Sequence, residues 1–263
     1  MSLICLASAK GSPGVTTTAL GLAAALPVDA AHRKLLLEAD AAGGALAIRY
    51  QLGRLPGLVT LAAAGRHGLN REDLWSHTQG IPGGLPVVVA PERADRTMSI
   101  LDTSGARLGH WLAELPDVTT VADAGRLAPQ PGGLVATADL VLLVARPTAE
   151  QVHPGAALLD ALTDAGCSVA WLLVGSSPHP AAEVERFTEH AVARVLPDDA
   201  RGASALLAGN VTGNASRRPL LREIAALARD LAPVPIPDEK STPTGEATSP
   251  RNETTPLTME AVG

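Results

Sequence analysis

Aromatic side chains are nearly missing from this sequence: they make up 2% of 263 residues, with one Tyr, one Phe and three Trp. A core cannot then be organised around rings. With 46% hydrophobic residues it must be filled by Ala, Val, Leu and Ile, which suits helices packed on a parallel sheet. Cysteine is scarce too. Cys5 and Cys167 permit neither a disulfide framework nor a thiolate metal site, and both are expected to be small buried thiols of a reduced protein. Lysine occurs only as Lys10, Lys34 and Lys240, and the net charge is −6. That balance excludes a bulk attraction to nucleic acid or anionic lipid. No apolar run reaches the length of a membrane-spanning helix. The first residues are apolar without a basic stretch, so a signal peptide is not expected and a cytoplasmic location is. The histidines lack metal-ligand spacing, and neither a Gly-x-Ser-x-Gly elbow nor a Gly-x-Gly-x-x-Gly first turn is present.

What the chain does have is a series of short Val/Leu/Ile runs: Leu3 to Ala9, Leu35 to Leu37, Pro86 to Ala90, Val118 to Ala122, Leu140 to Ala145, Val169 to Val174 and Arg194 to Leu196. Their length and branching predict strands buried on both faces. Between them, Thr16 to Leu26, Leu101 to Leu115, Ala149 to Ala165 and Arg217 to Leu231 read as helices. Alternation of this kind predicts a doubly wound α/β fold with a mainly parallel sheet and helices on both faces. Residues 1–233 are expected to form one domain. Residues 234–263 are rich in Pro, Thr, Ser and Glu with few apolar residues. Such a segment buries too little surface to offset its ordering entropy and is expected to be a disordered tail. It has Lys240 and Arg251 as its cations and no apolar stripe, so direct membrane binding through it is not expected.

The most informative stretch is Lys10-Gly11-Ser12-Pro13-Gly14-Val15-Thr16-Thr17. It follows a predicted strand and opens a predicted helix. A Gly-rich turn at a helix N-terminus points backbone N–H groups, and the positive end of the helix dipole, at an anion. A standard phosphate loop places a Lys before its Ser/Thr; here Val15 stands there. The stretch resembles the deviant Walker A motif of the MinD/ParA family, K-G-G-x-G-K-[ST]-[ST]. Lys10 matches the signature lysine, and Gly11, Gly14, Thr16 and Thr17 match as well. Ser12 replaces a Gly, and Val15 replaces the phosphate-loop lysine.

The resemblance implies a P-loop domain that binds ATP and Mg²⁺. Gly11, Ser12, Gly14, Val15, Thr16 and Thr17 would form the nucleotide loop. Thr16, Asp40 and Asp123 would surround the metal. The Asp123 strand looks like a Walker B segment, although Gly125 departs from the Pro often found there. Leu35-Leu36-Leu37-Glu38-Ala39-Asp40 resembles the switch I strand, with Asp40 as the acid that orients the attacking water. Leu196-Pro197-Asp198-Asp199 looks like the segment against the base, which brings in Pro197 and Asp199. Lys10 would reach across a nucleotide-dependent homodimer to the partner's phosphates, so the catalytic candidates are Lys10 and Asp40. Ser176 and Ser177 stand where the family often carries a base-reading Asn.

A cation beside a phosphate is worth on the order of 4 kcal/mol per charge pair at intermediate dielectric. Valine in its place predicts weak triphosphate binding and slow or no hydrolysis, and Pro13 has no N–H to offer. Two functions remain open. One is an atypical ATP-dependent dimeric switch that positions or partitions a cargo through a protein partner. The other is a non-catalytic pseudo-ATPase acting as scaffold or regulator. Arg217, Arg218 and Arg222 form a candidate DNA-contact patch, against which the negative net charge weighs.

Overall fold

Strand and helix alternate along the chain. The computed structural model describes residues 1–11, 13–27, 32–66, 68–128, 132–209 and 215–232. The expected tail at 234–263 and the loop residue Ser12 lie outside the described residues. In order, the elements are β1 (Leu3–Ser8), α1 (Val15–Ala25), β2 (Arg33–Glu38), α2 (Leu46–Arg49), α3 (Leu58–Ala64), β3 (Gln79–Ile81), β4 (Leu85–Val88), α4 (Ala94–Ala113), β5 (Val118–Arg126), α5 (Gly133–Ala136), β6 (Leu140–Ala145), α6 (Ala149–Asp164), β7 (Val169–Val174), α7 (Ala181–Thr188), β8 (Val192–Leu196), α8 (Ala200–Leu207) and α9 (Pro219–Asp230). They build an eight-stranded sheet in the order β3-β4-β2-β5-β1-β6-β7-β8. Every pairing is parallel except β3 with β4. The sheet is thus the doubly wound, mainly parallel one that the apolar runs predict.

Alternation along the strands sorts the core into two layers. Leu3, Cys5 and Ala7 of β1 point to the layer covered by α3, α4, α5 and α6. Ile4 and Leu6 point to the layer covered by α1, α8 and α9. Aliphatic side chains fill both layers. Trp171 is the exception, fully buried, with its indole N–H donating to Thr188 Oγ1 at 3.0 Å. Glycine sets one close approach that matters for the site. A Cβ at Gly21 would lie 2.8 Å from Ile224 Cδ1 and 3.1 Å from Leu206 Cδ1, so α1 is held tightly against α9 and α8.

Several boundaries differ from the sequence reading. The helix expected at Leu101 begins at Ala94, where the segment is too polar to show a helical period; Thr97 is nonetheless buried and donates to Pro91 O at 2.9 Å. The strand β3 escapes notice because it is three residues long and contains Gly80. The last helix does not begin at Arg217. Pro219 occupies its first position, and the preceding Arg218 is extended, as residues before proline tend to be. Arg217 sits in a separate short 3₁₀ turn (Ala215–Arg217).

Candidate functional site

The chain winds outward in both directions from β1, which lies between β5 and β6. Ligand crevices in open α/β sheets form at such a reversal, beyond the carboxyl ends of the strands. The loop after β1 lies there. Gly14 caps α1 with φ +101° and no side-chain cap bond. The N–H groups of the first turn therefore keep no side-chain acceptor at the cap. Thr18 does not serve them; its hydroxyl donates back to Gly14 O at 2.8 Å. A Cβ added at Gly11 or Gly14 would meet nothing within 4 Å, so the loop borders open space. Lys10 is exposed, and Thr16 and Thr17 are half-buried. Val15 turns away from the crevice into the layer under α1, only 6% exposed, in the same apolar cluster as Ile4, Leu6 and Ala19.

Opposite the loop stand the acids. Register places Asp123 of β5 beside both Leu6 of β1 and Glu38 of β2. Asp123 is 2% exposed. Burial pushes its carboxyl up to about 6, against the hydrogen bonds it receives from Thr16 and from the Gly125 N–H; the negative charges of Asp40 and Glu38 push the same way. Asp40 lies just past β2. Its Oδ1 accepts from the Ala42 N–H at 2.8 Å, and its carboxyl group occupies the space where a Cβ on Gly125 would be. Thr16, Asp40 and Asp123, far apart in sequence, thus meet around one point. A hydroxyl and two carboxylates are oxygen donors of the type that Mg²⁺ takes.

Glu38, the neighbour of Asp123 in the register of β2 and β5, has its carboxylate taken up by backbone. It is 2% exposed. Its Oε1 accepts from the N–H groups of Ala45 (2.6 Å) and Leu46 (2.9 Å), and its Oε2 from Ala90 N–H (2.9 Å). Burial raises its carboxyl above the ordinary range although these donors oppose the shift. Glu38 therefore ties the end of β2 to the 40–46 loop and to the end of β4. Sequence reasoning missed this anchoring; the signal was an acid ending an apolar strand and followed by Gly43-Gly44.

On the other flank, Pro197 and Asp199 line a cavity of about 140 Å³ with Gly14, Thr17, Thr18 and Arg146. One oxygen of the Asp199 carboxylate is committed to the fold: Oδ1 accepts from Gly202 N–H at 2.8 Å and caps α8, while Oδ2 is buried without a hydrogen-bond partner among the described residues. Arg146 pairs with Asp198 at 2.7 Å. Arg217, Arg218 and Arg222 remain near one another in sequence, but Arg222 alone lies within α9. No helix among the described residues is long and apolar enough to cross a membrane.

No family model matches the chain, and no curated protein matches it. Solved structures do. A ParA family ATPase from Chlorobium tepidum superposes with a TM-score of 0.73 at 18% identity, covering 88% of this chain and 99% of the other. This is the fold of the ParA and MinD ATPases. The cell division ATPase MinD of Pyrococcus furiosus gives 0.69 at 18% identity over 88% and 98% of the two chains. The septum site-determining protein MinD of Pyrococcus horikoshii, solved with Mg-ADP, gives 0.69 at 16% over 87% and 94%. The doubly wound, mainly parallel sheet read from the apolar runs agrees with these likenesses.

Proposed function

We propose that the chain is an atypical nucleotide-dependent switch of the ParA/MinD kind: it binds ATP with Mg²⁺, pairs with a second copy, hydrolyses slowly or not at all, and positions a cargo through a protein partner. The observation that carries this reading is the convergence of Thr16, Asp40 and Asp123 beside the uncapped start of α1. That donor set fits a magnesium ion, and the open loop beside it fits phosphate oxygens. The likeness to a MinD that holds Mg-ADP supports the same assignment.

Electrostatics specify the form of the ligand. With Val15 buried, the loop contributes no ammonium from that position. Two carboxylates face it. A bare triphosphate is repelled there, whereas magnesium bound to the phosphates neutralises part of their charge and converts both acids into partners. Thr16 and Asp123 would hold the metal, directly or through its water, and Asp40 would orient a water at the exposed side. Lys10, exposed at the rim, is available to phosphates of the partner copy. Gly14 and the first-turn N–H groups would position the phosphates, and Pro197 would border the nucleoside from the adjoining cavity.

Calorimetric titration of ATP and ADP, with and without Mg²⁺, tests the reading when solution mass is followed in parallel. Binding of ATP that requires Mg²⁺ and raises the mass to that of a dimer is expected, with both effects lost in Lys10→Ala. Absence of binding by the intact chain overturns it. The burial of Val15 favours a second reading, a non-catalytic scaffold that keeps the fold without the nucleotide. In that case nucleotide binding would be absent in the natural chain with and without Mg²⁺.

A further inference from the structure

We infer that Arg126 supplies the phosphate-binding charge that Val15 cannot, an assignment that rests on the nucleotide reading given above. Along β1 and β5 the partners run Leu3–Thr120, Ile4–Val121, Cys5–Ala122 and Leu6–Asp123. Neighbours in a parallel pair share a face of the sheet, and Ile4, Leu6 and Val121 indeed lie in the layer under α1. Asp123 shares that face. Two residues further, Ser8 pairs with Arg126 rather than with Gly125. One extra residue has been taken up in β5, a bulge at which Gly125 has φ +59°.

The bulge resets the alternation. Without it, Arg126 would fall on the face opposite to Asp123, with Ala122 and Ala124. With it, Arg126 takes the face of its partner Ser8, which is the face of Leu6 and Asp123. The backbone on each side is fixed to the end of β1: Ser8 Oγ donates to Gly125 O at 3.4 Å, and Leu127 N–H donates to Ser8 O at 2.9 Å. Arg126 is therefore anchored at the root of the loop that carries Lys10, Gly11 and Gly14.

Its charge is available. Arg126 is exposed and forms no ion pair among the described residues. Arg146, the cation on the other flank of the loop, is already held by Asp198. Magnesium-bound ATP retains net negative charge, so a site built around Asp40 and Asp123 requires added positive charge. A guanidinium suits the task better than an ammonium, because its planar fork can engage two phosphate oxygens at once.

Titration of MgATP, MgADP and AMP into the full chain and its Arg126→Ala, Arg126→Lys and Lys10→Ala variants tests the assignment, with urea midpoints as a folding control. Arg126→Ala is expected to raise the Kd for MgATP about ten- to a hundredfold, to leave AMP binding unchanged and to keep the wild-type urea midpoint. Arg126→Lys should recover part of the loss. If the natural chain binds MgATP and Arg126→Ala binds it equally well, the arginine assignment falls while the nucleotide reading stands. The same holds if AMP is weakened as much as ATP, since the residue would then not act on the added phosphates. If the natural chain binds no nucleotide, both fall.

Discussion

The carboxyl group of Asp40 lies against the α-carbon of Gly125, in the space that any larger residue would need for its Cβ. Gly125 also has φ +59°. Two requirements, one steric and one conformational, meet at a single glycine. The departure from a Walker B proline thus has a local cause, because a proline cannot adopt positive φ.

Gly125→Ala is expected to lower stability by about 1–3 kcal/mol from backbone strain alone, with a further loss from displacing Asp40. Urea unfolding measures the first effect. The second would appear as weakened Mg²⁺ dependence of ATP binding, beyond what the stability change explains.

Asp123 gives a pH signature. Its folded-state value of about 6 lies above the ordinary 3.8. A raised acid favours folding below its unfolded value, and that contribution is lost as pH rises through the folded value. The loss spans roughly pH 4 to 6 and amounts to about 3 kcal/mol for a shift of this size. Asp123→Asn mimics the protonated form. The stability of this variant relative to the natural chain should rise over that window, when both are unfolded in urea without Mg²⁺. A difference constant from pH 4 to 8 would contradict the burial argument.

Glu38→Ala removes the acceptor of three backbone N–H groups at Ala45, Leu46 and Ala90. Each buried donor left unpaired costs about 1–3 kcal/mol, so a loss of at least about 3 kcal/mol is expected in denaturant unfolding. The damage should be local first, with hydrogen exchange accelerated over residues 40–46.

Asp199→Ala is expected to cost about 1 kcal/mol, the usual value of a lost helix cap, and to accelerate amide exchange at Gly202. Nucleotide affinity should change little if the cap formed by Oδ1 is the whole role of this side chain. A large loss of ATP binding with stability intact would assign Asp199 to the ligand after all.

Much of this arrangement is legible in the sequence because it is local. Leu140 to Ala145 and Val169 to Val174 match β6 and β7 residue for residue, since an apolar run bounded by turn residues leaves little choice. Lys10 to Thr17 shows its outline because a tight loop requires its glycines at fixed spacing. Illegible were the features set by tertiary contact. Nothing in the letters around Arg126 shows a bulge, because the bulge exists only in the register with β1. Nothing at Asp199 distinguishes a helix cap from a ligand contact, since the same carboxylate chemistry serves both. Val15 could be recognised as a missing lysine, but its burial required the positions of Ile4 and Leu6.

The two outermost strands limit how copies of this chain can meet. On one side β3 spans three residues and contains a glycine. On the other, β8 carries Arg194, which is held by Glu223 and Asp230. A short glycine-containing border and a charged, tethered one are both poor templates for a foreign strand. Growth of the sheet from chain to chain is thereby discouraged. The pairing proposed above must then use surfaces other than the sheet borders, so that its strength can answer to the ligand rather than to backbone hydrogen bonding.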